Sequence, residues 1–353
     1  MTPRPAGPVR LAAIALVVLS GCAATDDHPA APPTSQPAPA AARSVQRTRL
    51  LGVDGSLIRT RTWKITTTID DPLTITRLPI FLDAAYRQYT SLLGPLPDPP
   101  QKLDVYILSD RRQWALLTRQ LMGDRADTYL RIDRGGFAAD GRSVLYDIGQ
   151  PGLFSVAAHE GWHQYTQRAF GRFGLPIWLE EGIATYMEGF RWRRDDPTRP
   201  DFLPWGNIER FDQLREAVAT ESLLALPDLL DTTPRRLIDT SMAGALSYYA
   251  QVWALTHFLR EGAGGRYRQS LDRLVGDAAS GRLPRVLYAR LGPARARRAL
   301  RERRGPGVFQ AYFNADLAQA NLEYTRFVHR IVRTGSRDLV ARGESPIFGA
   351  AGP

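Results

Sequence analysis

The chain has 353 residues, of which 44% are hydrophobic and 23% charged, a balance that suits a globular protein and excludes a largely disordered chain. The net charge is +10, and arginine carries nearly all of the positive charge, because Lys64 and Lys102 are the only lysines. Such charge can attract nucleic acid or an anionic membrane surface. No arginine cluster accompanies a nucleic-acid-binding motif, so we predict no nucleic-acid partner and attribute the arginine to overall composition. Cys22 is the only cysteine, which excludes a disulfide within the chain.

Residues 1–22 have the features of a bacterial lipoprotein signal peptide. Arg4 and Arg10 precede or flank a short apolar run, residues 11–19, that is too short to span a bilayer as a stable helix. The run ends in LSGC at residues 19–22, which resembles the lipobox of bacterial lipoproteins. The resemblance implies that the chain is cut before Cys22, that this cysteine carries a lipid, and that the protein is anchored to a membrane of the cell envelope. An ordinary signal peptide with a chance cysteine is the alternative.

Residues 23–45 are rich in alanine, proline and threonine and are predicted to be a disordered tether, because they cannot bury enough apolar surface to fold. Residues 46–150 are predicted to form an N-terminal α/β subdomain. The patterns predict strands at residues 63–68 and 103–108, helices at residues 75–93 and 110–123, and one or two further strands between residues 128 and 147. This order favours a small mixed sheet that packs on helices. The segment GGFA at residues 135–138 fits either an edge strand or a glycine-rich turn.

The stretch from residue 151 to residue 188 carries the strongest chemical signal in the chain. His159 and His163 are four residues apart, so on an α-helix their side chains lie on one face, roughly 5–6 Å apart at Cβ, where both can reach one metal ion. Glu160 follows the first histidine directly. This H-E-x-x-H arrangement is typical of zinc sites in which the glutamate takes a proton from water.

A catalytic zinc ion needs a third protein ligand and one open position. A second predicted helix, residues 176–188, offers Glu180 and Glu181. The two side chains point about 100° apart on a helix with 3.6 residues per turn, so only one of them can face the metal well. Thr185 and Glu188 lie further along the same helix. They are weaker candidates for orienting a ligand histidine, and packing or solvent-exposed roles are favoured for both.

H-E-x-x-H followed by W-L-x-E-G-x-A, here residues 159–163 and 178–184, is similar to the pattern of the gluzincin metallopeptidases. Over most of the chain after residue 60 the likeness is to bacterial peptidase MA-like proteins. The resemblance implies one Zn²⁺ per chain, held by His159, His163 and Glu181, with Glu160 as the general base. It also implies an α+β, zincin-like fold, in which the active-site cleft lies between the N-terminal mixed sheet and a mainly helical, zinc-binding part at residues 151–335.

The rest of the chain is predicted to be mainly helical. A polar, proline-rich loop is expected at residues 191–206 and a tail at residues 336–353, and helices are expected near residues 208–219, 241–261, 266–275, 283–291 and 315–332. Tyr248 and Tyr249 lie in the second of these helices, where the gluzincin aminopeptidases carry a catalytic tyrosine. The resemblance implies that Tyr249 donates a hydrogen bond to the oxyanion of the transition state. Packing of both tyrosines in the core or at its rim is the alternative.

Two functions remain open from the sequence. In the first, the chain is a zinc-dependent peptidase that acts on a peptide or protein substrate and is anchored to the cell envelope as a monomer. In the second, it is a non-catalytic zinc-binding envelope lipoprotein that serves as a binding or structural module. Glu160 favours the first, because a purely structural zinc site needs no base. The segment at residues 135–138 lacks the glutamate with which gluzincin aminopeptidases grip a free N-terminus, so endopeptidase action is favoured.

Overall fold

The computed structural model describes residues 14–16, 44–133, 135–238, 241–314 and 316–347. Cys22, the predicted tether up to residue 43 and residues 348–353 of the predicted tail lie outside this part of the chain. None of the helices within it is both long and apolar enough to cross a lipid bilayer. The described chain is an α+β protein, with a mixed sheet in its N-terminal half and mostly helices after it.

Seven strands of the described chain form one mixed sheet. They are β1 (Ile14–Leu16), β2 (Ser44–Leu50), β3 (Val53–Arg59), β4 (Trp63–Thr67), β5 (Leu103–Leu108), β6 (Gly135–Ala139) and β7 (Arg142–Tyr146). Their order is β1-β6-β7-β5-β4-β3-β2, in which β4, β5 and β7 run parallel and every other neighbouring pair is antiparallel. Parallel neighbours need long crossovers, supplied here by α1 (Pro72–Leu92) after β4 and by α2 (Arg111–Met122) and α3 (Ala126–Leu130) after β5. The strands predicted at residues 63–68 and 103–108 are confirmed as β4 and β5, and the GGFA segment belongs to a strand and not to a turn.

Side-chain caps fix where the first two long helices begin. Asp71 accepts a hydrogen bond from the backbone N–H of Thr74 at 2.7 Å, and Asp110 accepts one from that of Gln113 at 2.8 Å. The Gln113 side chain donates in turn to the Asp110 carboxylate at 3.0 Å. The two residues therefore cap the helix together, although the return bond reaches a side chain where a capping box would reach the backbone.

The remaining helices come after the last strand of the sheet. They are α4 (Gly152–Ala169), α5 (Ile177–Tyr186), α6 (Ile208–Ala219), α7 (Leu226–Asp231), α8 (Pro234–Ile238), α9 (Met242–Glu261), α10 (Arg268–Ala279), α11 (Leu283–Leu291), α12 (Pro293–Glu302), α13 (Gly307–Tyr312), α14 (Leu317–Ile331) and α15 (Ser336–Ala341). Helix α4 packs on β6, β7 and α1, and α5 packs on both α4 and α9. One hydrophobic core runs from Trp63 in β4 through Trp162 in α4 to Trp253 in α9. Helices α4 and α5 therefore lie at the centre of that core.

Several predicted boundaries are wrong. Strand β2 begins at Ser44, so the predicted end of the tether at residue 45 falls inside a strand. The predicted loop at residues 191–206 contains a hairpin of β8 (Phe190–Trp192) and β9 (Pro200–Phe202), whose aromatic rings pack on Phe81 of α1. The predicted tail contains α15, which packs on α6 and buries Val340. The short helices α7, α8, α12 and α13 lie in segments for which the sequence predicts no helix.

Candidate metal centre

Helix α4 is held between the sheet and α1 by hydrogen bonds to its own backbone. Tyr89 of α1 donates to the carbonyl of Ala158 at 2.6 Å, and Ser143 of β7 donates to that of Glu160 at 3.2 Å. Gly161 allows this close approach, since a Cβ at that position would lie 2.6 Å from the Tyr89 hydroxyl oxygen. The backbone of the H-E-x-x-H segment is therefore fixed on two sides by buried groups.

Helix α5 reaches the same region by close packing on α9. Gly182 is the contact residue, because a Cβ there would lie 2.5 Å from Thr256 Oγ1 and 2.8 Å from the Val252 carbonyl oxygen. Trp178 of the same helix is buried in the shared core. Glu181, one residue before the glycine, points towards α4.

The three predicted ligands come together between these helices. Nε2 of His159 lies 3.1 Å from Nε2 of His163, and Glu181 Oε2 lies 3.5 Å from each of these nitrogens. All three side chains are buried, and in the described part of the chain they form the one group of three His, Cys, Asp or Glu side chains close enough to share a metal ion. Two ligand nitrogens of a tetrahedral zinc ion lie about 3.3 Å apart. The spacing therefore suits zinc with little rearrangement.

The hydrogen bonds of the two imidazoles leave the nitrogens that face each other as acceptors. Nδ1 of His159 lies 2.8 Å from Glu188 Oε1, and Nδ1 of His163 lies 3.4 Å from Glu180 Oε1. An ionised carboxylate can only accept, so each Nδ1 carries the proton and each Nε2 presents a lone pair. Two lone pairs and the Glu181 carboxylate then face one another in a buried space, where a cation or an added proton relieves their repulsion. Two imidazoles and one carboxylate are a donor set that zinc takes in catalytic sites.

The electrostatics of the site favour positive charge between these groups. Burial lowers the pKa of His163, but the charge of Glu181 and the hydrogen bonds of Glu180 and Glu181 outweigh burial and raise that pKa to about 10. Burial raises the pKa of Glu181, but the two imidazoles outweigh it and lower that pKa to about 2. Metal-free protein therefore takes up protons at this site, and a metal ion has to compete with them for the same nitrogens.

Two carboxylates, Glu188 and Glu180, lie behind the histidines; from the sequence Glu188 is only a weaker candidate for this task and Glu180 has no predicted role. Glu188 is buried and bonded to His159, so the packing or solvent-exposed role favoured from the sequence is wrong. Glu188 lies two residues after the end of α5 and seven after Glu181, and this closeness in the chain is the signal that points to it. Glu180, the carboxylate that does not face the metal position, orients the second histidine. Thr185 orients neither histidine, because its hydroxyl donates to the backbone carbonyl of Glu181 at 3.0 Å.

Glu160, Tyr248 and Tyr249 lie around the three-donor group. All three are buried, and the ring centroid of Tyr249 lies 6.2 Å from that of His159. Burial and then the charge of Glu181 raise the pKa of both tyrosines well above the ordinary 10, and Glu160 adds to the shift at Tyr249. Both hydroxyls therefore remain protonated near neutral pH and can donate. Core packing, the alternative considered from the sequence, is compatible with a donor role at this position.

Strand β6 lies beside α4 and contains the GGFA segment. β1 pairs with its outer side in antiparallel register, with Ile14 opposite Phe137 and Leu16 opposite Gly135. β1 also contacts α4. The outer side of β6 thus accepts an extended chain next to the helix that carries the two histidines.

No protein-family model matches this chain, and no curated protein is significantly similar to it. The geometry of the site and the chemistry of its residues are therefore what supports a function. Three features bear on it: the buried three-donor group, the carboxylate of Glu160 beside that group, and the strand edge next to α4.

Proposed function

We propose that this chain is a zinc-dependent peptidase of the gluzincin type, with a zincin-like sheet and helical part around its site. The observation that carries the proposal is the convergence of His159, His163 and Glu181, whose donor atoms lie within 4.8 Å of one another, with Glu160 next in the chain to the first ligand. Three protein ligands leave a tetrahedral ion one further position, which is the arrangement of catalytic zinc sites.

The residues of the site have separate tasks in peptide hydrolysis. A zinc ion held by the three ligands would supply Lewis-acid chemistry, which acidifies water and polarises a carbonyl. Glu160 accepts a proton from the attacking water and passes it to the leaving amine. Tyr249 donates a hydrogen bond to the oxygen that becomes negative as the tetrahedral centre forms. Burial strengthens both contributions, because charges interact more strongly where water is excluded.

An extended peptide bound along β6 fits this chemistry. Backbone pairing with a strand edge binds a peptide largely independently of its sequence. The antiparallel pairing of residues 14–16 on this edge supports an antiparallel orientation of the bound peptide. Because residues 1–21 would leave with the signal peptide, the mature chain would offer this edge to substrate. Residues 135–138 carry no glutamate to bind a free N-terminus, so internal peptide bonds are the expected cleavage sites.

Glu160→Gln tests the catalytic role. The variant should bind one zinc ion per chain, as the wild type does, and should lose hydrolysis of a mixed peptide library by roughly 10²- to 10⁴-fold, because the amide cannot take a proton. Glu216→Gln, an exposed glutamate on α6, is the control and should keep full activity. Hydrolysis by Glu160→Gln at the wild-type rate would refute the role of Glu160 as base.

The complete burial of the ligands favours a second candidate, a zinc site that only stabilises an envelope lipoprotein. The side chain of His159 is 0% exposed and that of His163 is 2% exposed. The two functions separate in one experiment. If wild type and Glu160→Gln both bind zinc and neither cleaves any peptide of the library, with or without a chelator, the structural role is favoured over hydrolysis.

Membrane anchoring through Cys22 is proposed from the lipobox resemblance, since that residue lies outside the described ranges. Cys22→Ser should move the protein from the membrane fraction to the soluble fraction of the cell envelope. Metabolic labelling with a radioactive fatty acid should mark the wild type and leave the variant unlabelled. Equal labelling of the two proteins would contradict lipidation at this cysteine.

A further inference from the structure

The first ligand histidine is backed by a buried arginine. The Arg210 side chain is 1% exposed and binds the Glu188 carboxylate twice, from Nη2 to Oε1 at 2.9 Å and from Nε to Oε2 at 3.1 Å. Asn207, which caps α6, adds a bond of 2.8 Å to Oε2. Oε1 is also the oxygen that Nδ1 of His159 contacts. The planar fork of the guanidinium fixes the plane of the carboxylate, and the carboxylate in turn fixes the imidazole.

The second ligand histidine is backed in the same way from a distant part of the chain. Arg303 follows α12 in the left-handed region, with φ = 53°, which is disfavoured for residues other than glycine. In this conformation its carbonyl accepts from the Ile177 N–H at 2.7 Å, and its side chain donates to the Leu175 carbonyl at 2.8 Å and to Glu180 Oε2 at 3.2 Å. Glu180 Oε1 contacts Nδ1 of His163. Arg303 thus holds both the start of α5 and the carboxylate behind this histidine.

The two arginines also offset part of the negative charge around the imidazole pair. Four buried carboxylates surround the imidazole pair, namely Glu160, Glu180, Glu181 and Glu188. Arg210 and Arg303 are bonded to two of them and offset two of the four negative charges. A divalent cation would offset the other two. Because buried charges are tolerated only when they are paired, the arrangement fits a doubly charged ion.

We propose that Arg210 and Arg303 are positioning residues of the metal centre, each acting on one ligand histidine through one carboxylate. The inference rests on the proposed metal site. Arg210 has the larger effect, because its side chain is buried and makes two bonds to its carboxylate, whereas Arg303 makes one and is 27% exposed. Without its arginine, each carboxylate is held against Nδ1 by fewer bonds, from Asn207 on Glu188 and from Thr166 on Glu180, and the direction of the two Nε2 atoms is fixed less firmly.

Zinc affinity of the purified full chain, measured by competition with a chromogenic chelator, tests this role. Arg210→Met should weaken zinc binding by roughly 10- to 100-fold, the range for groups that orient ligand histidines, and Arg303→Met by less. Arg304→Met is the matched control for Arg303, because Arg304 is the next residue, is 23% exposed and pairs with Asp231, outside the site. Arg77→Met controls for the loss of a buried arginine that bonds elsewhere. Both controls should bind zinc like the wild type.

The visible spectrum of cobalt-substituted protein separates positioning from a general loss of structure. Misdirected imidazoles change the ligand-field bands in molecules that still hold cobalt, whereas unfolding removes those bands together with the far-ultraviolet circular dichroism. Arg210→Lys should recover part of the affinity, because lysine restores the charge but not the fork. If Arg210→Met does not fold, Glu188→Gln makes the same test, since an amide cannot form the charged pair with Arg210.

Zinc affinities within about twofold of the wild type for both Glu188→Gln and any folded Arg210 variant, with unchanged cobalt spectra, would overturn the proposal. That result is distinct from a failure of the proposed function. If the wild type binds no zinc, the metal site and the positioning role fall together. If the wild type binds zinc and cleaves nothing, while the arginine variants bind zinc more weakly, the catalytic role alone fails and the positioning role stands.

Discussion

Gly182→Ala tests most directly whether helix packing sets the geometry of the metal centre. Gly182 lies in α5 against α9, one residue after the proposed ligand Glu181. An added Cβ would lie 2.5 Å from Thr256 Oγ1 and 2.8 Å from the Val252 carbonyl oxygen, whereas ordinary contacts begin at 3.4 Å. A threonine hydroxyl can rotate away, but a helical carbonyl cannot. The two helices must therefore separate by about 0.6 Å here, the difference between 3.4 and 2.8 Å.

A displacement of this size affects metal binding more than stability. Metal–ligand distances tolerate about 0.2 Å, so the shift takes Glu181 out of range of an ion that the histidines hold. Overpacking a core costs roughly 1–3 kcal/mol, and alanine regains up to about 1 kcal/mol over glycine inside a helix. We therefore expect the unfolding free energy to fall by roughly 0–2 kcal/mol and the zinc affinity to fall by about tenfold or more.

The assay combines zinc titration with chemical denaturation of the metal-free protein. Gly276→Ala is the control, because Gly276 lies inside α10 and an added Cβ there meets nothing within 4 Å. This variant should gain up to about 1 kcal/mol and bind zinc like the wild type. If Gly182→Ala binds zinc as tightly as the wild type does, the spacing of α5 and α9 does not set the ligand geometry, and the reasoning is refuted.

Three other outcomes are expected. Tyr249→Phe should keep its zinc, and its kcat should fall by roughly 10²- to 10³-fold, as when one oxyanion donor is removed. Tyr248→Phe should change kcat little. Equal losses of kcat in the two variants would contradict the choice of Tyr249 as the donor. Burial raises the pKa of Glu188, but the charge of Arg210 and the hydrogen bond of His159 outweigh burial and lower it from 4.5 to about 2. The ionised carboxylate therefore stabilises metal-free protein above pH 4.5, and this contribution is lost as the pH falls to about 2. The unfolding free energies of wild type and Glu188→Gln should converge between these two pH values. A constant difference between them would contradict the role of Glu188 as a buried, ionised carboxylate. Chelation of zinc should lower the unfolding free energy by about 4 kcal/mol, relative to protein in free zinc at roughly 1,000 times Kd, with no loss of helix by circular dichroism.

The three residues proposed as ligands could be grouped from sequence because their relations are local. His159 and His163 are one helical turn apart, and Glu181 lies on the next helix of the chain. Arg210 and Arg303 lie outside both helices, and only tertiary packing brings them to the carboxylates. No spacing rule ties an arginine to a distant glutamate. In a chain whose positive charge is nearly all arginine, composition does not single these two out.

The difference between local sequence patterns and tertiary packing also explains which parts of the fold were predictable. β5 and α11 have the bounds that their apolar patterns predict, residues 103–108 and 283–291. β2 has the sequence SVQRTRL and is mostly exposed, so no alternation of buried and exposed positions marks it, and its pairing with β3 defines it. The β8–β9 hairpin is also defined by its surroundings, because its aromatic rings pack on Phe81 of α1 and Phe154 of α4, which are distant in the chain.

The positions of the four carboxylates bear on the choice between catalytic and structural zinc. A structural ion is held by four protein ligands. Glu180 and Glu188 contact the Nδ1 atoms behind the histidines, so neither can also reach the Nε2 side, and Glu160 lies outside the three-donor group. With His159, His163 and Glu181 as its protein ligands, the proposed ion would take its fourth ligand from water or substrate. β1 pairs with β6 and contacts α4, and it belongs to the segment expected to leave with the signal peptide. Loss of that segment would uncover the outer side of β6 beside α4, which is where the extended peptide is proposed to bind.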